Sequence, residues 1–592
     1  MRRIVFFTLA LLFLTSAFKQ KDEDSPLSKR DRLYYTCKIW GFLKYYHPKV
    51  GTGVYDWDEK LLSVLKNTGG VQTSDELSNY MSRWIYAFGP RKKCTSCSQK
   101  SDHEVQQENF DLAWTRSNLF SEDLQRTLRD IERNRLEGEH YYIGQGKNGQ
   151  FEPKNESKLL DFNWKEENER LLILFRYWNY VAYFYPHKYQ MDQPWDEVLK
   201  EMIPKFIAAN TKLDFHKAIL ELVVKTDDSY AGIVSATLDQ MPYYNYLPTR
   251  FEMIEDRAVI TEIIDLEKAK ELDLRIGDAI TLINGQSVRS IHESHAQYIW
   301  GSNTAVKERS IYHTLFMGLT ESPTVTIERG NSSRTVELPL YKYAELNYTK
   351  PKVQRKWYMA SDSVGYADLS KVRSGEVDEM MLELMEAAVI VFDLRGQPKG
   401  THKAIARYLN PSDTTFAVYT RPDLSYPGKF IWKGSSSCGS PNGDYYKGMV
   451  ILLIDENTQG YAEFTCMCLQ TAPNVLTIGS QTAGTDGAVS KFLVYGKLVT
   501  SFTGTGIYYP DRTQTQRVGI VPDILVKPTI QAIREGRDET LETAIGRAKE
   551  EIAERLAIAE EMQVIKMDTL RVDSLSIPAA IDSLSISEDG QK

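Results

Sequence analysis

A repeated pattern of tryptophan, tyrosine and proline constrains how the first third of this chain can fold. The segment Trp40–Pro48 (WGFLKYYHP) is matched by Trp178–Pro186 (WNYVAYFYP), and the pair Trp57-Asp58 by Trp195-Asp196, in each case 138 residues further on. A spacing kept at three landmarks indicates a duplication. Each copy predicts an amphipathic helix that ends at the proline, a loop, and a second helix that begins near the Trp-Asp pair. The aromatic side chains pack these helices together or, as the alternative, line a ligand groove.

The two copies set the organisation of the N-terminal region. We expect copy 1 at residues 18–97, a polar spacer at 98–160, and copy 2 at 161–244, docked on the remainder of the chain. Before them, residues 1–17 have the basic start, the apolar run and the small residues that are typical of a cleaved secretory signal peptide. The sequence therefore predicts export to the periplasm or the extracellular space, with a membrane anchor as the alternative. After cleavage, no segment is long and apolar enough to span a bilayer.

Charge and cysteine content narrow the possible ligands. A net charge of −8 without any Lys/Arg-rich run argues against a nucleic-acid partner. For the CxxC pair Cys94 and Cys97, a disulfide or free thiols are favoured over a redox motif or a zinc half-site, because only His103 lies close by as a further ligand. Cys466 and Cys468 are predicted to be buried small hydrophobes. No pattern predicts a metal or a cofactor.

The pattern of apolar residues differs between two segments in the rest of the chain, which indicates two domains. Between residues 245 and 342, alternating strands surround Leu274–Gly285 (LRIGDAITLING), a strand between two glycine turns. From 343 to 535, uninterrupted apolar strands at Val389–Leu394 and Met449–Asp455 predict a sheet covered on both faces. A charged helix at 536–564 and a disordered acidic tail at 565–592 follow. The predicted fold class is multidomain α+β.

Five segments of the chain resemble motifs of the C-terminal processing peptidases, or tail-specific serine proteases, in the branch that includes the tricorn core protease. In chain order they are Asp228–Ala231 (DSYA), Asp393–Gly400 (DLRGQPKG), Glu456–Phe464 (ENTQGYAEF), Gly479–Gly487 (GSQTAGTDG) and Gly519–Asp523 (GIVPD). The resemblance implies a ClpP/crotonase-like α/β protease core at 343–535.

The segment 245–342 resembles a protease-associated PDZ domain through its LRIGDAITLING hairpin. PDZ domains bind a peptide as an added strand and capture its terminal carboxylate. The resemblance places the carboxylate loop near residues 244–251, so Arg250 and Phe251 are candidate peptide contacts. A purely structural or gating PDZ domain is the alternative.

By this resemblance, the three catalytic positions hold residues that cannot perform the chemistry. The nucleophilic serine aligns with Gly460, the histidine base with Tyr230, and the glutamate with Gln514 or its neighbour Gln516. Glycine has no nucleophile, and tyrosine, with an ordinary pKa of about 10, is a poor base at neutral pH. Glutamine has no charge with which to stabilise an imidazolium.

Other positions of the family site are also identifiable. Gly400 belongs to the loop that helps to form the oxyanion hole, and Thr458 and Glu463 frame the nucleophile position. Thr485 follows a glycine where other tail-specific proteases carry a lysine base, and Ser229 precedes the histidine position.

Three hypotheses for function follow from this combination. The favoured one is an exported pseudopeptidase that binds unfolded polypeptides or protein C-terminal tails without cutting them. The alternative is an active serine-type endopeptidase whose nucleophile is displaced to Thr458, Ser480, Thr485 or Ser229. The third is a structural subunit, in a homo-oligomer or beside a paralogous protease.

Overall fold

The structure is a computed structural model that describes residues 26–97, 103–235, 238, 245–319, 322–348 and 355–575. The predictions for a signal peptide at 1–17 and for the tail from residue 576 onward lie outside the described residues. Within the described residues, no helix combines the length and the apolar character needed to cross a membrane. The architecture is mixed α+β, with a helical N-terminal region, a small β-rich domain and an α/β core.

Helices dominate the N-terminal region. Its described α-helices, α1–α8, are Lys29–Tyr46, Pro48–Gly51, Trp57–Asn67, Ser74–Tyr86, Glu122–Arg133, Glu167–Phe184, Trp195–Ala208 and Lys212–Val224. Its short strands, β1–β4, are Val105–Gln106, Ile143–Gln145, Phe151–Pro153 and Gly232–Val234. Single 3₁₀ turns lie at Ala113–Arg116 and Lys188–Gln190. Helices α1 and α6 end just before the two prolines, as predicted, because the residue before a proline disfavours the helical conformation.

The long helices α1 and α6 are buried on almost all sides, so the predicted amphipathic pattern is wrong. Fourteen of the 18 residues in each helix are buried. Two buried cations on these helices are neutralised by nearby carboxylates, Lys44 by Glu156 at 2.6 Å and Arg176 by Asp58. Since an unpaired buried charge is costly, such pairs allow a helix with charged residues to lie inside the core.

The tryptophans of each predicted copy form a reciprocal pair of hydrogen bonds. The indole nitrogen of Trp40 donates to the carbonyl oxygen of Trp57 at 3.0 Å, and that of Trp57 donates to the carbonyl oxygen of Trp40 at 3.1 Å. Trp178 and Trp195 make the same two bonds at 2.8 and 2.9 Å. All four side chains are buried. The aromatic residues therefore join the first helix of each pair to the second.

The described part of the predicted spacer at 98–160 belongs to the folded core. Helix α5 buries Leu124, Leu128 and Ile131. Strand β3 buries Phe151, whose ring stacks on Phe184 of α6 with the centroids 4.1 Å apart. The three aliphatic residues of α5 follow a helical spacing, but the high charge of the surrounding sequence conceals this apolar stripe.

Residues 245–342 form an antiparallel sheet with short helices. Strands β5–β10 are Thr249–Ile254, Arg257–Ile263, Ala279–Ile283, Gln286–Ser287, Thr324–Arg329 and Ser332–Glu337. Helices α9–α12 are Leu266–Glu271, Val288–Ser294, Thr304–Arg309 and Ile311–Thr314, with a 3₁₀ turn at Ala296–Tyr298 and another at Tyr343–Glu345. The strand order is β10-β9-β7-β6-β5, which leaves β5 at an edge. The predicted hairpin is present, with Gly277 at φ +84° before β7 and Asn284-Gly285 in the turn to β8.

A six-stranded sheet forms the centre of the core. Strands β11–β21 are Trp357–Ser361, Val364–Asp368, Val389–Asp393, Thr414–Pro422, Phe430–Cys438, Met449–Ile454, Val475–Gly479, Val489–Tyr495, Leu498–Thr503, Gly506–Tyr508 and Ile524–Leu525. The sheet has the order β11-β12-β13-β16-β17-β21 and is parallel apart from β11. Every residue of β13 and β16 is buried, as their continuous apolar sequences predicted.

Helices cover both faces of this sheet. Helices α13–α17 are Val377–Leu384, His402–Leu409, Tyr461–Leu469, Ile530–Glu535 and Glu539–Leu575, and a 3₁₀ turn lies at Ser374–Glu376. Helix α17 packs Ala544 and Ala548 on one face. It continues to Leu575, so the first part of the predicted disordered tail is helical.

The N-terminal region and the core share two sheets. Strand β4 pairs antiparallel with β19 in the sheet β18-β19-β4, and β1 pairs with β15 in the sheet β1-β15-β14-β20. Phe492 and Phe502 of the core join the apolar cluster of the N-terminal helices. This arrangement carries the DSYA segment, which directly precedes β4, into the core.

The cysteines agree with the sequence analysis where they can be compared. Cys94 and Cys97 form a disulfide. Cys466 and Cys468 are buried free thiols on α15, as predicted, and Cys37 and Cys438 are also free and buried.

Candidate functional site

The turn between β16 and α15 holds residue 460 at the start of a helix. Gly460 has φ 58° and ψ −108°, a conformation that few residues other than glycine adopt. Its N–H donates to the carbonyl oxygen of Thr485 at 3.0 Å and to Oε2 of Glu463 at 2.8 Å. The N–H groups in the first turn of a helix have no intrahelical acceptor, and they form the positive end of the helix dipole. The backbone therefore suits a nucleophile and a developing oxyanion, but residue 460 has no side chain to attack with.

The side chain of Tyr230 fills the space above Gly460. A β-carbon built on Gly460 would overlap the hydroxyl oxygen of Tyr230 and lie 2.8 Å from its Cζ. Burial raises the pKa of this hydroxyl, and the negative charge of Asp486 raises it further. The structure thus brings two predicted triad positions into contact, and a protonated phenol stands where the nucleophile's side chain would be.

Glu463 fastens the start of α15 to the loop that follows β17. Its buried carboxylate accepts hydrogen bonds from the N–H groups of Gly460 at 2.8 Å, Gly484 at 2.8 Å and Thr485 at 3.2 Å, and from the hydroxyl of Thr482 at 2.5 Å. Burial raises the pKa of Glu463 to about 7, and these hydrogen bonds oppose the rise. The residue positions the turn and leaves no oxygen free for a reacting group.

Asp228 anchors the DSYA segment in the core. Its buried carboxylate accepts from the N–H of Thr503 at 2.6 Å, the hydroxyl of Thr485 at 3.1 Å and the N–H of Tyr230 at 3.0 Å. Burial raises its pKa, and these hydrogen bonds oppose that effect. The sequence analysis did not assign Asp228 a role, although its place at the head of the motif was a signal for one.

Of the two candidate glutamines, Gln516 lies at the site. It is 1% exposed, and its Nε2 is 3.4 Å from Oδ1 of Asp228. Gln514 instead accepts hydrogen bonds from the side chains of Gln190 and Tyr189. The structure therefore places Gln516, rather than Gln514, in contact with the DSYA segment.

The four hydroxyl groups predicted as alternative nucleophiles belong to buried residues, and each donates a hydrogen bond to an oxygen atom. Their acceptors are Leu394 O for Thr458 at 3.0 Å, Asp228 Oδ1 for Thr485 at 3.1 Å, Ala483 O for Ser229 at 3.1 Å and Glu456 Oε2 for Ser480 at 3.0 Å. Within the described chain, no histidine or lysine nitrogen forms a hydrogen bond to any of the four. None of them has the nitrogen base that would activate a hydroxyl.

One imidazole does contact the turn, and the sequence analysis missed it. Nδ1 of His402 is 2.7 Å from the hydroxyl oxygen of Tyr461, the residue after Gly460. Burial lowers the pKa of His402 to about 4 and raises that of Tyr461. Both groups are therefore neutral at pH 7, and the imidazole is a weak base.

A cleft of about 450 Å³ opens beside the first turn of α15. Tyr419, Tyr461 and Phe464 form aromatic walls, and Asp486 and Arg421 also line it. Asp486 is 5% exposed, and neither its Oδ2 nor Nε of Arg421 has a hydrogen-bond partner among the described residues. Burial strongly raises the pKa of Asp486. The cleft thus presents unused polar groups between aromatic rings, which suits a polar chain with apolar side groups.

The remaining predicted positions lie on two other elements, the loop after β13 and the edge strand β5. Gly400 has φ +78° in the loop after β13, with no atom of the described residues within 4 Å of an added β-carbon. Arg250 and Phe251 lie on the edge strand β5. The Phe251 ring is buried inside its own domain, whereas Arg250 is exposed, with its guanidinium carbon 5.4 Å from the ring centroid of Tyr312.

Part of the α/β core matches a known protein family. Residues 363–526 match the family model described as peptidase family S41, so the chain carries a domain of this family. A curated relative is the nisin-resistance protein of Lactococcus lactis subsp. lactis, which is 30% identical over 145 residues. That match covers 23% of this chain and 45% of the relative, so the chain spans less than half of the relative's length.

Several solved structures are similar to between 62% and 65% of this chain. Mature CPAF complexed with lactacystin is 12% identical with a TM-score of 0.49, and the match covers 62% of this chain and 95% of that one. A putative peptidase from Parabacteroides merdae is 14% identical with a TM-score of 0.40, covering 64% and 96%. The tricorn protease is 12% identical with a TM-score of 0.33, covering 65% and 37%.

Proposed function

We propose that this protein is an exported, non-catalytic member of peptidase family S41 that binds extended polypeptides or protein tails without cutting them. One observation carries the proposal: the hydroxyl of Tyr230 occupies the space that the nucleophile's side chain needs at Gly460. A serine at 460 would require the tyrosine to move. Meanwhile Glu463 and Asp228 keep the surrounding loops in place, so the fold of the site is retained without its chemistry.

Two surfaces support polypeptide binding. The first is the cleft at Asp486 with its aromatic walls. The second is the edge strand β5, in a domain that we take to be PDZ-like. Peptides commonly bind to such a domain by adding a strand at the edge of its sheet. A cavity of about 640 Å³ adjoins β5 and reaches the core, with Glu252 of β5 and Glu456 of the core among its lining residues. A peptide held on β5 would enter this cavity, whose wall at Glu456 belongs to the segment that leads to Gly460.

Two alternative functions predict different results. An active endopeptidase would require a base in contact with one of the four buried hydroxyl groups. A structural subunit would bind a second copy of the chain or a paralogous protease and would have no affinity for free peptides.

The test compares the natural mature protein with a variant of its cleft and a variant of its site. Binding of fluorescein-labelled unfolded polypeptide and of nisin is followed by anisotropy, with nisin included because the curated relative is named for resistance to it. Turnover of the same probes is followed by mass spectrometry, and nucleophiles are probed with a fluorophosphonate. The cleft variant is Tyr419→Ala, and the site variant combines Gly460→Ser, Tyr230→His and Gln516→Glu.

We expect the natural protein to bind at least one probe, to cut none, and to lose about 10-fold in affinity in Tyr419→Ala, the cost of one aromatic contact of ~1.4 kcal/mol. Cleavage or labelling of the natural protein would instead establish the peptidase alternative. Absence of both binding and cleavage, together with a stable oligomer in light scattering, would favour the structural subunit.

A further inference from the structure

A second cavity lies in the helical region and shares no lining residue with the cleft at Asp486. It has a volume of about 470 Å³ and is enclosed by α1, α6, the 3₁₀ turn at Lys188–Gln190 and the start of α7. Its apolar walls include Phe110, Trp114, Trp178 and Trp195. A cavity of this size with aromatic walls can enclose a small organic group.

The carboxylates that line this cavity are already engaged. Asp196 pairs with the buried Nζ of Lys38 at 2.6 Å. Asp192 pairs with Arg517 at 2.7 Å. The remaining carboxylate, Asp111, accepts the backbone N–H of residue 113 at 2.7 Å. Cations of the chain itself therefore neutralise Asp196 and Asp192.

Lys188 is the lining cation without an anionic partner. Its Nζ donates to the carbonyl oxygen of Ala182 at 3.0 Å, and no carboxylate of the described residues forms an ion pair with it. The other lining lysine, Lys38, is both paired with Asp196 and held 5.2 Å from the Trp114 ring centroid. Burial lowers the pKa of Lys188 to about 8, and the negative charges of Asp196 and Asp111 oppose this shift only in part.

We infer that this cavity binds a carboxylate attached to an apolar or aromatic group, with the carboxylate on Lys188 and the apolar group between the tryptophans. A half-buried ammonium without an ion-pair partner gains from an anionic acceptor, and a charge-assisted hydrogen bond is stronger than a neutral one. The aromatic walls supply the apolar contact area. Both a small arylalkanoate and the C-terminal residue of a polypeptide offer this chemistry.

The test uses the mature chain and two matched pairs of probes in isothermal titration calorimetry. The first pair is 3-(indol-3-yl)propionate and its primary amide. The second is an N-acetylated tripeptide ending in tryptophan, with a free or an amidated C-terminus. The variants are Lys188→Gln and Lys188→Arg, with Lys66→Gln as a control on the exposed side of α3.

We expect at least one acid to bind about 10-fold or more tightly than its amide, which is what a charge-assisted hydrogen bond contributes. Lys188→Gln should lose that preference, Lys188→Arg should keep most of it, and Lys66→Gln should match the natural protein. Binding of the propionate alone would identify a small-molecule site, and binding of the free peptide would identify a C-terminal residue as the ligand.

Equal affinity for acid and amide in the natural protein would overturn the inference, as would absence of binding by both acids at millimolar concentration. Neither of these results depends on whether a Lys188 variant folds. The test is also distinct from that of the proposed function, because Tyr419→Ala leaves this cavity unchanged and Lys188→Gln leaves the cleft at Asp486 unchanged.

Discussion

The hydroxyl of Tyr230 and a β-carbon on residue 460 would occupy the same space. Because residue 460 is glycine, the half-buried tyrosine ring can extend over the start of α15 with its hydroxyl protonated. The two residues therefore form one structural unit, because a side chain can be added at residue 460 without a steric cost only if residue 230 changes as well.

The first prediction concerns this steric relationship. Gly460→Ala should lower the free energy of unfolding by ~2–4 kcal/mol, since it adds a clash with Tyr230 to the strain of a positive φ. Gly496→Ala is the matched control, because Gly496 has φ +53° but open space around its α-carbon, and should cost only ~1 kcal/mol. In a Tyr230→Ala background the excess cost at 460 should largely disappear. Equal losses at 460 and 496 in urea denaturation would show that the clash is absent.

The second prediction separates the two glutamines. A variant with Gly460→Ser, Tyr230→His and Gln516→Glu should gain measurable peptidase activity, because residue 516 lies beside the DSYA segment. The same variant with Gln514→Glu in place of Gln516→Glu should be about 10-fold or more slower, since an unsupported imidazolium loses an electrostatic partner. Initial rates on a fluorogenic peptide measure the difference, and a faster Gln514→Glu version would contradict the assignment.

The third prediction is a pH dependence that arises from Glu463. Its pKa is about 7 in the fold and 4.5 in the ordinary state, so folding favours the protonated form. The stability that this preference contributes is complete below pH 4.5 and is lost as the pH rises through 7. Relative to Glu463→Gln, the natural protein should therefore lose ~3 kcal/mol between pH 4.5 and 8. Thermal unfolding at several pH values measures this, with the exposed Glu379→Gln as control. A difference that does not change with pH would exclude Glu463 as the source.

The fourth prediction tests the equivalence of the two tryptophan pairs. Trp40→Phe and Trp178→Phe each remove one indole N–H from a buried carbonyl group. Each should lower the free energy of unfolding by ~1–3 kcal/mol, the cost of an unsatisfied buried acceptor, and by similar amounts. Trp84→Phe is the control, because Trp84 stacks on Trp57 without forming a hydrogen bond to a described residue. A large loss in only one copy would show that the two pairs do not play the same part.

Sequence patterns located the strands of the core and the turn at Gly460. Strands β13 and β16 are predictable because both faces of the sheet are covered, which leaves Asp393, at the end of β13, as the single polar residue of the two strands. The motif around Gly460 identifies a strand-to-helix turn because glycine and Glu463 have fixed places in it.

Contacts between distant segments were beyond the reach of such patterns. The contact of Tyr230 with Gly460 depends on the pairing of β4 with β19, which no local periodicity encodes. Motif spacing leaves Gln514 and Gln516 equivalent, and only the packing of residue 516 against Asp228 separates them. In α5, the charge of the surrounding sequence concealed an apolar stripe that tertiary packing uses.

The overlap at residue 460 also bears on how such a protein can change over generations. A codon change to serine at 460 meets the tyrosine ring, and a change to histidine at 230 gives no benefit while its neighbour lacks a hydroxyl. Neither single change would improve the site, so under the proposed non-catalytic function a return to cleavage would pass through an unstable or inactive intermediate. This pair of residues would then hinder the recovery of cleavage by single substitutions.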